Sequence, residues 1–286
     1  MGPEYLRRTE DYFEAANGRK LFLRSWQPSD PNRVMVLVHG FGEHSGRYED
    51  TASWFARQGF AVYAHDQLGH GLSPGKRGHV DQFDDLLDDV ECLTKLASRT
   101  HPDCLRVLVG HSMGGLIVTA LACERQLDVD LVAASGPALV LSPDISRVKL
   151  LLASILQRFI PRLAMSAGLD PNSLSTDQAV VRKYVADPLV HSQITASLGA
   201  GMTNAVRRLQ GAAANLRLPM LILHGEADPI CDVAGSRAFH ASSLPDSRSR
   251  TELRTYPGLL HEIFNEPERV RVYSDLLSWI RRMESR

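Results

Sequence analysis

Short, mostly apolar runs recur along the chain and are separated by segments with helical spacing. The apolar runs lie at 34–38, 60–64, 105–109, 131–134 and 220–223. Their continuity is typical of strands that are buried on both faces of a parallel sheet. Helical patterns occupy the stretches between successive runs, at 48–58, 83–99 and 113–125. This alternation of strand and helix predicts right-handed parallel crossovers.

The two ends of the chain extend this pattern. Asn17 and Gly18 lie between the strand-like segments 12–16 and 21–26, and this pair of residues is the one that a type I′ hairpin turn prefers. A further strand pattern follows at 251–256, and an amphipathic helix at 267–283 closes the chain. We therefore expect an α/β fold with a mostly parallel central sheet, flanked by helices and preceded by a hairpin.

The alternation stops after the sixth predicted strand. Residues 141–217 contain no convincing strand pattern, only helical stretches such as 148–156 and 176–186. An all-helical insertion is the simplest interpretation. The predicted organisation is thus a core made from residues 1–140 and 218–286, with a helical cap at 141–217 between its two parts.

Composition and charge exclude several classes of function. The 286 residues carry a net charge of -1, and Lys and Arg are spread along the chain, so no basic surface for nucleic acid is expected. The four cysteines form no CxxC pair, and no HExxH motif occurs, so neither a disulfide framework nor a metal site is expected. The predicted protein needs no cofactor.

The sequence also bears on location. Its first ten residues lack the apolar stretch of a signal peptide, and no apolar run approaches the roughly 18 residues that span a bilayer. We expect a cytoplasmic protein whose contact with membranes, if it has any, is peripheral. Nothing in the sequence specifies an oligomeric state.

The clearest chemical motif is GHSMG, which places Ser112 between Gly110 and Gly114. It lies where the strand at 105–109 turns directly into the helix at 113–125. A nucleophile elbow needs this context, because the strained turn exposes the serine and small neighbours let the backbones crowd together. The start of the helix also offers free N–H groups where an oxyanion would form. We predict that Ser112 is a nucleophile.

A serine nucleophile needs an imidazole base, and the base needs a carboxylate to orient it. Asp228 follows the strand at 220–223, and His261 lies in the loop before the last helix. Both come after the serine in the order that α/β-hydrolases use. Glu226 is a rival acid, and His224 and His240 are rival bases. We favour Asp228 because Pro229 rigidifies its loop, and we expect His224 to end a strand and His240 to lie on a helix surface.

The second half of an oxyanion hole is expected after the strand at 34–38. There the chain reads HGFGEHSGRY, and glycines on both sides of Phe41 let its N–H turn toward Ser112. The other donor would be the N–H of Met113. Glu43 and Arg47 are spaced i, i+4 in the same loop, so they could form an ion pair that fixes it.

Four motifs in order, HGFGEHSGRY, DQLGHGLSPG, GHSMGG and GEADPICD, resemble the monoacylglycerol lipase group of α/β-hydrolases, with its lysophospholipase and serine-aminopeptidase-like relatives. The resemblance runs from about residue 10 to residue 283. It implies the α/β-hydrolase fold with the cap after the sixth strand, the triad Ser112, Asp228 and His261, and an oxyanion hole at Phe41 and Met113. It also implies that Glu43 and Arg47 lie near a glycerol head group, a role that stands beside the ion pair.

Three positions bear on the resemblance: two differ from the family and one agrees with it. Phe264 stands where some members carry a second histidine that can touch glycerol, and Gln67 stands where a histidine is expected after Asp66. Cys231 lies three residues after Asp228, as in the animal lipase, and a buried thiol there is expected to be inert. The GHG loop that follows Asp66 is interpreted as scaffold.

The sequence thus predicts a serine hydrolase that cleaves the ester of a single-chain lipid, a monoacylglycerol, to glycerol and fatty acid. A lysophospholipase or a broad carboxylesterase is the alternative within the same chemistry, and a non-catalytic ligand-binding protein is the alternative from another class. An aminopeptidase is disfavoured because no acidic cluster is clearly placed for a substrate ammonium. The cap segment 147–163 mixes apolar and basic residues, which favours transient contact with a membrane or micelle surface over burial on the core.

Overall fold

The computed structural model describes residues 6–140, 158–243 and 251–285. An eight-stranded sheet has the order β1-β2-β4-β3-β5-β6-β9-β10, and β7 pairs with β8 in a small second sheet. The strands are β1 (Arg7–Glu14), β2 (Lys20–Gln27), β3 (Arg33–Val38), β4 (Phe60–His65), β5 (Leu105–His111), β6 (Leu131–Ser135), β7 (Ala164–Ser166), β8 (Gln193–Thr195), β9 (Met220–Gly225) and β10 (Thr251–Tyr256). In the large sheet, the pairings along the order β4-β3-β5-β6-β9-β10 are all parallel.

The apolar runs form strands because both faces of the sheet are covered. Along β3, Val34, Val36 and Val38 pack into one core cluster, while Met35 and Leu37 pack into the cluster on the opposite face. Successive side chains of a strand point to opposite faces, so a strand buried on both sides must be apolar throughout. The predicted mostly parallel sheet is confirmed.

Helices cover both faces of this sheet. Their bounds are α1 (Glu49–Ala56), α2 (Asp84–Thr100), α3 (Met113–Glu124), α4 (Gln178–Ala186), α5 (Ala196–Arg208), α6 (Val233–Ser242) and α7 (Arg269–Glu284). α1 and α7 bury side chains in the cluster that contains Met35, whereas α2 and α3 contribute to the cluster that contains Val34. α3 is buried on nearly every side, as expected for a helix that passes directly beneath the sheet.

The predicted hairpin is also confirmed. β1 and β2 pair antiparallel, and the N–H of Arg19 donates to the carbonyl of Ala16 at 3.2 Å. The two residues between them, Asn17 and Gly18, have φ of 55° and 70°. Positive φ at both central positions defines a type I′ turn, and asparagine and glycine adopt that backbone at little cost.

The segment between β6 and β9, residues 136–219, interrupts the sheet, and we call it the insert. The expectation that it is all helical was wrong, because β7 and β8 pair antiparallel within it. Each of these strands has only three residues, which is too short for an alternating pattern to be recognised. α5 buries Leu198 and Val206 in the core cluster that α3 also joins, so this helix supports the sheet.

The insert also rests on the loops above the sheet. The N–H of His191 donates to the carbonyl of Gly42 at 2.9 Å, and the N–H of Thr195 donates to the carbonyl of Gly78 at 3.0 Å. A Cβ on Gly42 would lie 2.3 Å from the carbonyl oxygen of His191, so the close approach requires glycine. Within the described parts of the chain, no helix is long and apolar enough to cross a membrane.

Candidate active site

Ser112 lies at the junction of β5 and α3, with φ of 54° and ψ of -116°. A serine with positive φ is strained, and the surrounding contacts must hold it there. A Cβ on Gly110 would lie 2.2 Å from the carbonyl oxygen of Gly114, and one on Gly114 would lie 2.2 Å from that of Val38. The two glycines of GHSMG are therefore what allow strand, turn and helix to pack this closely.

Asp228 and His261 meet at the carboxyl ends of neighbouring strands. Asp228 lies in the loop after β9, His261 lies in the loop after β10, and both side chains are buried. The Nδ1 of His261 is 2.7 Å from the Oδ2 of Asp228. Because a carboxylate only accepts hydrogen bonds, Nδ1 carries the proton and Nε2 is left with its lone pair. His261 and Ser112 line the same cavity.

The environment of Asp228 keeps it ionised. Its Oδ1 accepts hydrogen bonds from the N–H groups of Ile230 and Cys231, at 2.8 and 2.9 Å. Burial alone would raise the pKa of Asp228, but hydrogen bonds from His224 and His261 outweigh burial and hold that pKa well below its usual range. A negative charge therefore faces the imidazole throughout the neutral pH range.

His224, a rival base in the sequence, is a donor to the same carboxylate. Its Nε2 lies 2.8 Å from the carbonyl of Cys231 and 3.2 Å from the Oδ2 of Asp228, and its Nδ1 lies 2.7 Å from the hydroxyl of Ser236. A carbonyl cannot donate, so Nε2 carries the proton and Nδ1 accepts from Ser236. Both ring nitrogens are engaged, which leaves His224 no lone pair to offer a serine.

The other rivals lie elsewhere. The carboxylate of Glu226 accepts from the hydroxyl of Thr255 at 2.7 Å and pairs with Arg237 at 3.1 Å, so it faces away from His261. His240 is part of α6 and does not line the cavity. The structure thus brings together the residues that the sequence favoured.

The loop after β3 brings Phe41 to the same cavity. Ahead of it, the N–H of Gly40 donates to the Oε1 of Glu43 at 2.6 Å, which fixes the start of the turn. Within residues 6–140, 158–243 and 251–285, neither the N–H of Phe41 nor the N–H of Met113 has a hydrogen-bond acceptor. Two free N–H groups beside a serine are what an oxyanion hole needs.

Glu43 and Arg47 form the ion pair that their spacing allowed, and a third residue joins them. The Nη1 of Arg47 is 2.7 Å from the Oε2 of Glu43, and both terminal nitrogens of Arg47 contact Glu262, at 2.6 and 2.7 Å. The hydroxyl of Tyr48 donates to the Oε1 of Glu43 at 2.8 Å, and the guanidinium lies 4.7 Å from the ring centre of Tyr184. We call Glu43, Arg47 and Glu262 the arginine clamp.

The clamp is buried, and its charges sustain one another. Burial would raise the pKa of Glu43, but Arg47 and the neighbouring imidazoles lower it to about 2. Burial would lower the pKa of Arg47, but Glu262 and Glu43 raise it well above its ordinary value. Glu43 and Arg47 are therefore charged near neutral pH, and neither of them can serve as a proton carrier.

The cavity is lined by both polar and apolar residues. Polar and charged residues on it are Glu43, Arg47, His111, Ser112, Tyr184, His261 and Glu262, and the others are Gly40, Phe41, Leu169, Leu174 and Ile230. Burial holds the pKa of His111 down at about 4, with the nearby His261 acting in the same direction. His111 is therefore neutral, so it does not compete with His261 for a proton.

Cys231 contacts the predicted nucleophile. Burial and the charge of Asp228 raise the pKa of this thiol well above its ordinary value, and the nearby hydroxyl of Ser112 acts in the opposite direction. A neutral thiol is a weak nucleophile. Cys231 therefore packs against the serine without competing with it.

Comparison with known proteins agrees with this geometry. The family described as serine aminopeptidase, S33, matches residues 29–268. The monoacylglycerol lipase of Mycolicibacterium smegmatis is 36% identical over 275 residues, which are 96% of this chain and 97% of that protein. This chain belongs to the serine aminopeptidase, S33, family of α/β-hydrolases. The monoglyceride lipase of Rattus norvegicus is 33% identical and matches 93% of this chain and 88% of its own length.

Solved structures in the family have the same fold. The monoacylglycerol lipase of Paleococcus ferrophilus superposes with a TM-score of 0.83 at 35% identity, covering 92% of this chain and 99% of its own. A soluble variant of the monoglyceride lipase of Saccharomyces cerevisiae, in complex with a substrate analogue, superposes with a TM-score of 0.86 at 24% identity and covers 98% of both chains. The second likeness shows the fold alone.

Two family positions that differ here have a structural explanation. Phe264 is buried in the cluster on the far side of the sheet, where it packs against Tyr273, so it contributes nothing to the cavity. Asp66 accepts from the N–H groups of Ser45 and Leu72, at 2.8 and 2.7 Å, and Gln67 donates to the carbonyl of His39 at 2.6 Å. The loop they start is scaffold, as expected.

Sequence reasoning missed Glu262, Tyr184 and the role of His224 as a donor. The position of Glu262 beside His261 gave a signal, but neighbours in a chain point to different sides, so its partner could not be named. Tyr184 lies in the insert, more than 70 residues before His261 in the chain. Only the docking of the insert brings its ring to Arg47.

Proposed function

We propose that this chain hydrolyses the ester bond of monoacylglycerols and releases glycerol and a fatty acid through an acyl-enzyme on Ser112. The observation that carries the proposal is the 2.7 Å hydrogen bond between Asp228 and His261 at a cavity that also contains Ser112 on a strained elbow. The relatives named as monoacylglycerol and monoglyceride lipases support the choice of substrate.

The chemistry follows from the roles of the three side chains. Ser112 attacks the acyl carbonyl carbon while the Nε2 of His261 takes its proton, and Asp228 holds the imidazole and stabilises its charge. The N–H groups of Phe41 and Met113 bind the oxygen that becomes negative. The intermediate collapses, His261 returns the proton to the departing glycerol oxygen, and the acyl-enzyme remains. Water, deprotonated by His261, then releases the fatty acid by the same route.

The lining residues of the cavity suit the two parts of the substrate. Leu169, Leu174 and Ile230 offer apolar contact to an acyl chain. Among the polar lining residues, Glu43 has both carboxylate oxygens already occupied by Gly40, Tyr48 and Arg47. Glu43 therefore braces the oxyanion loop, and Arg47, which keeps N–H groups beyond those bound to the glutamates, is the residue that reaches glycerol hydroxyls. No free carboxylate of Glu43 is left for the ammonium of a peptide substrate.

In this proposal residues 141–217 of the insert act as the cap, and the cap touches lipid surfaces. Residues 147–157 of the predicted interfacial segment lie outside the described residues. Beyond them Phe159, Ile160 and Leu163 are 75%, 51% and 40% exposed, and Arg158 and Arg162 lie beside them in the chain. Apolar side chains beside basic ones favour a membrane interface.

Sedimentation with anionic lipid vesicles tests this contact. The wild-type chain should pellet with the vesicles and the Phe159→Glu variant should remain in the supernatant. Equal pelleting of the two would contradict the interfacial role. The free state of Cys92, Cys104, Cys123 and Cys231 is consistent with the proposed cytoplasmic location, where thiols stay reduced.

A substrate panel tests the function. Turnover is compared on a monoacylglycerol, a diacylglycerol, a triacylglycerol, a lysophospholipid and an aminoacyl anilide, with Ser112→Ala as the blank. We expect the highest kcat/KM on the monoacylglycerol. Preference for the lysophospholipid would overturn the substrate but leave the mechanism, whereas turnover by Ser112→Ala equal to wild type would overturn the mechanism.

A further inference from the structure

Glu266 is a completely buried carboxylate outside the cavity. Its Oε1 accepts from the N–H of Leu260 at 2.8 Å. Its Oε2 accepts from the hydroxyl of Ser175 at 3.0 Å and from Thr176 twice, at 2.9 Å from the N–H and 2.5 Å from the hydroxyl. No cation pairs with its side chain within the described parts of the chain. Hydrogen bonds alone satisfy both buried oxygens of this side chain.

One oxygen of Glu266 accepts a hydrogen bond from the loop that carries the imidazole of His261. Leu260 immediately precedes His261, so the bond from Leu260 to Glu266 closes residues 260–266 into a ring. Inside the ring, the N–H of Ile263 donates to the carbonyl of His261 at 3.1 Å, and the N–H of Asn265 donates to the carbonyl of Glu262 at 2.7 Å. The backbone on both sides of His261 is thereby fixed.

The other oxygen holds the insert. Ser175 and Thr176 lie just before α4, the helix that carries Tyr184 over Arg47. A separate bond, from the N–H of Glu262 to the carbonyl of Leu174 at 2.7 Å, runs between the same two segments. Leu174 lines the cavity. The insert and the imidazole loop are thus joined through the carboxylate of Glu266, the backbone bond from Glu262 to Leu174, and a bond from the hydroxyl of Ser175 to the carbonyl of Asn265 at 3.1 Å.

We propose that Glu266 is a positioning residue whose carboxylate couples the seating of residues 174–176 of the insert to the placement of the His261 imidazole. The inference rests on the proposed function, since it concerns the same imidazole. When Ser175 and Thr176 leave, Glu266 loses three of its four donors, so its side chain is no longer fixed in the position that binds Leu260. Departure of the insert therefore displaces the base, and the site works only when covered.

Three variants test this coupling on a soluble short-chain nitrophenyl ester. In Glu266→Gln the amide has one acceptor oxygen, so either Leu260 or the donors of the insert must face an NH₂ group. Thr176→Val removes one donor of the insert and leaves Glu266 and Leu260 unchanged. Glu268→Gln changes an exposed carboxylate on the same loop and is the control. kcat, KM and the pH profile of kcat are measured for folded protein.

The proposal predicts that Glu266→Gln and Thr176→Val each lower kcat by about tenfold or more, because small displacements of a catalytic group are costly. KM should change less than kcat, the acid limb of the pH profile should move, and Glu268→Gln should match wild type. Unchanged kcat in Thr176→Val, or a rise in KM alone in either variant, would overturn the coupling, even if Glu266→Gln does not fold. Failure of the wild type itself to turn over the ester would instead overturn the proposed function.

Discussion

Two groups of buried carboxylates near Ser112 are held in different ways. Asp228 lies 2.7 Å from a ring nitrogen of His261 and 3.2 Å from one of His224, and among the described residues no lysine or arginine pairs with it. Glu43 and Glu262 both pair with Arg47. A carboxylate held by imidazole groups can orient a catalytic imidazole and stabilise its protonated form. A carboxylate paired with an arginine braces the surrounding structure. Removing the first should therefore cost activity, and removing the second should cost stability.

Asp228→Asn should have the largest effect, and it should act on activity. An amide at this position turns the imidazole into the wrong tautomer, so kcat should fall by roughly 10³- to 10⁴-fold. Steady-state turnover of a monoacylglycerol measures the loss. Glu226→Gln, two residues away in the same loop, is the control and should keep its activity within about twofold of wild type. Comparable losses in the two variants would show that Asp228 is not the acid.

Arg47→Met disrupts the arginine clamp and should lower the free energy of unfolding. It leaves two buried carboxylates without their cation, and removal of one partner from a buried ion pair costs about 3–5 kcal/mol. Urea unfolding measures this loss. Arg271→Met removes the cation of the exposed pair with Glu268 and should change the free energy of unfolding by less than about 0.5 kcal/mol. A loss in Arg47→Met as small as that control would contradict the clamp.

The stability that Glu43 contributes to the arginine clamp depends on pH. Its pKa is about 2 in the fold against an ordinary 4.5, so its ionised form is the stabilising one. The contribution is present above the ordinary pKa and is lost as the pH falls toward 2. Urea unfolding of wild type and Glu43→Gln from pH 7 to pH 3 should show a stability gap that narrows with acid. A gap that stays constant would argue against the depressed pKa.

The smallest expected effect concerns the second donor to Asp228. His224→Phe removes one of the hydrogen bonds that hold the carboxylate, while the bonds from Ile230, Cys231 and His261 remain. We expect kcat to fall about tenfold, equivalent to 1.4 kcal/mol, without a change in substrate preference. His240→Phe on α6 is the matched control. An unchanged kcat in His224→Phe would show that the bond from His261 orients Asp228 sufficiently.

The sequence predicted what depends on local signals. The apolar runs identified the parallel strands because those strands are buried on both faces, and Asn17 with Gly18 identified the hairpin turn. Ser112, Asp228 and His261 could be predicted because each follows a strand, and the ends of parallel strands share one edge. Their catalytic roles remain predictions.

Residues placed by the insert could not be predicted in this way. Glu262 and Glu266 lie in an irregular loop, where no period relates a position to the direction of its side chain. Their partners, Arg47 and Thr176, are distant in the chain, and Tyr184 reaches Arg47 only once the insert has docked. β7 and β8 are too short to show a strand pattern. These contacts depend on tertiary packing, and local sequence does not encode it.

Labelling with a fluorophosphonate followed by peptide mass spectrometry tests the central claim most directly. Such a probe reacts with a serine only when an imidazole activates it and an oxyanion hole accepts its oxygen. We predict one adduct on the peptide that contains Ser112 in the wild type, and none in Ser112→Ala or after preincubation with excess monoacylglycerol during turnover. Ester hydrolysis by a wild-type protein that carries no adduct on Ser112, or an adduct on a different residue that abolishes activity, would contradict the account.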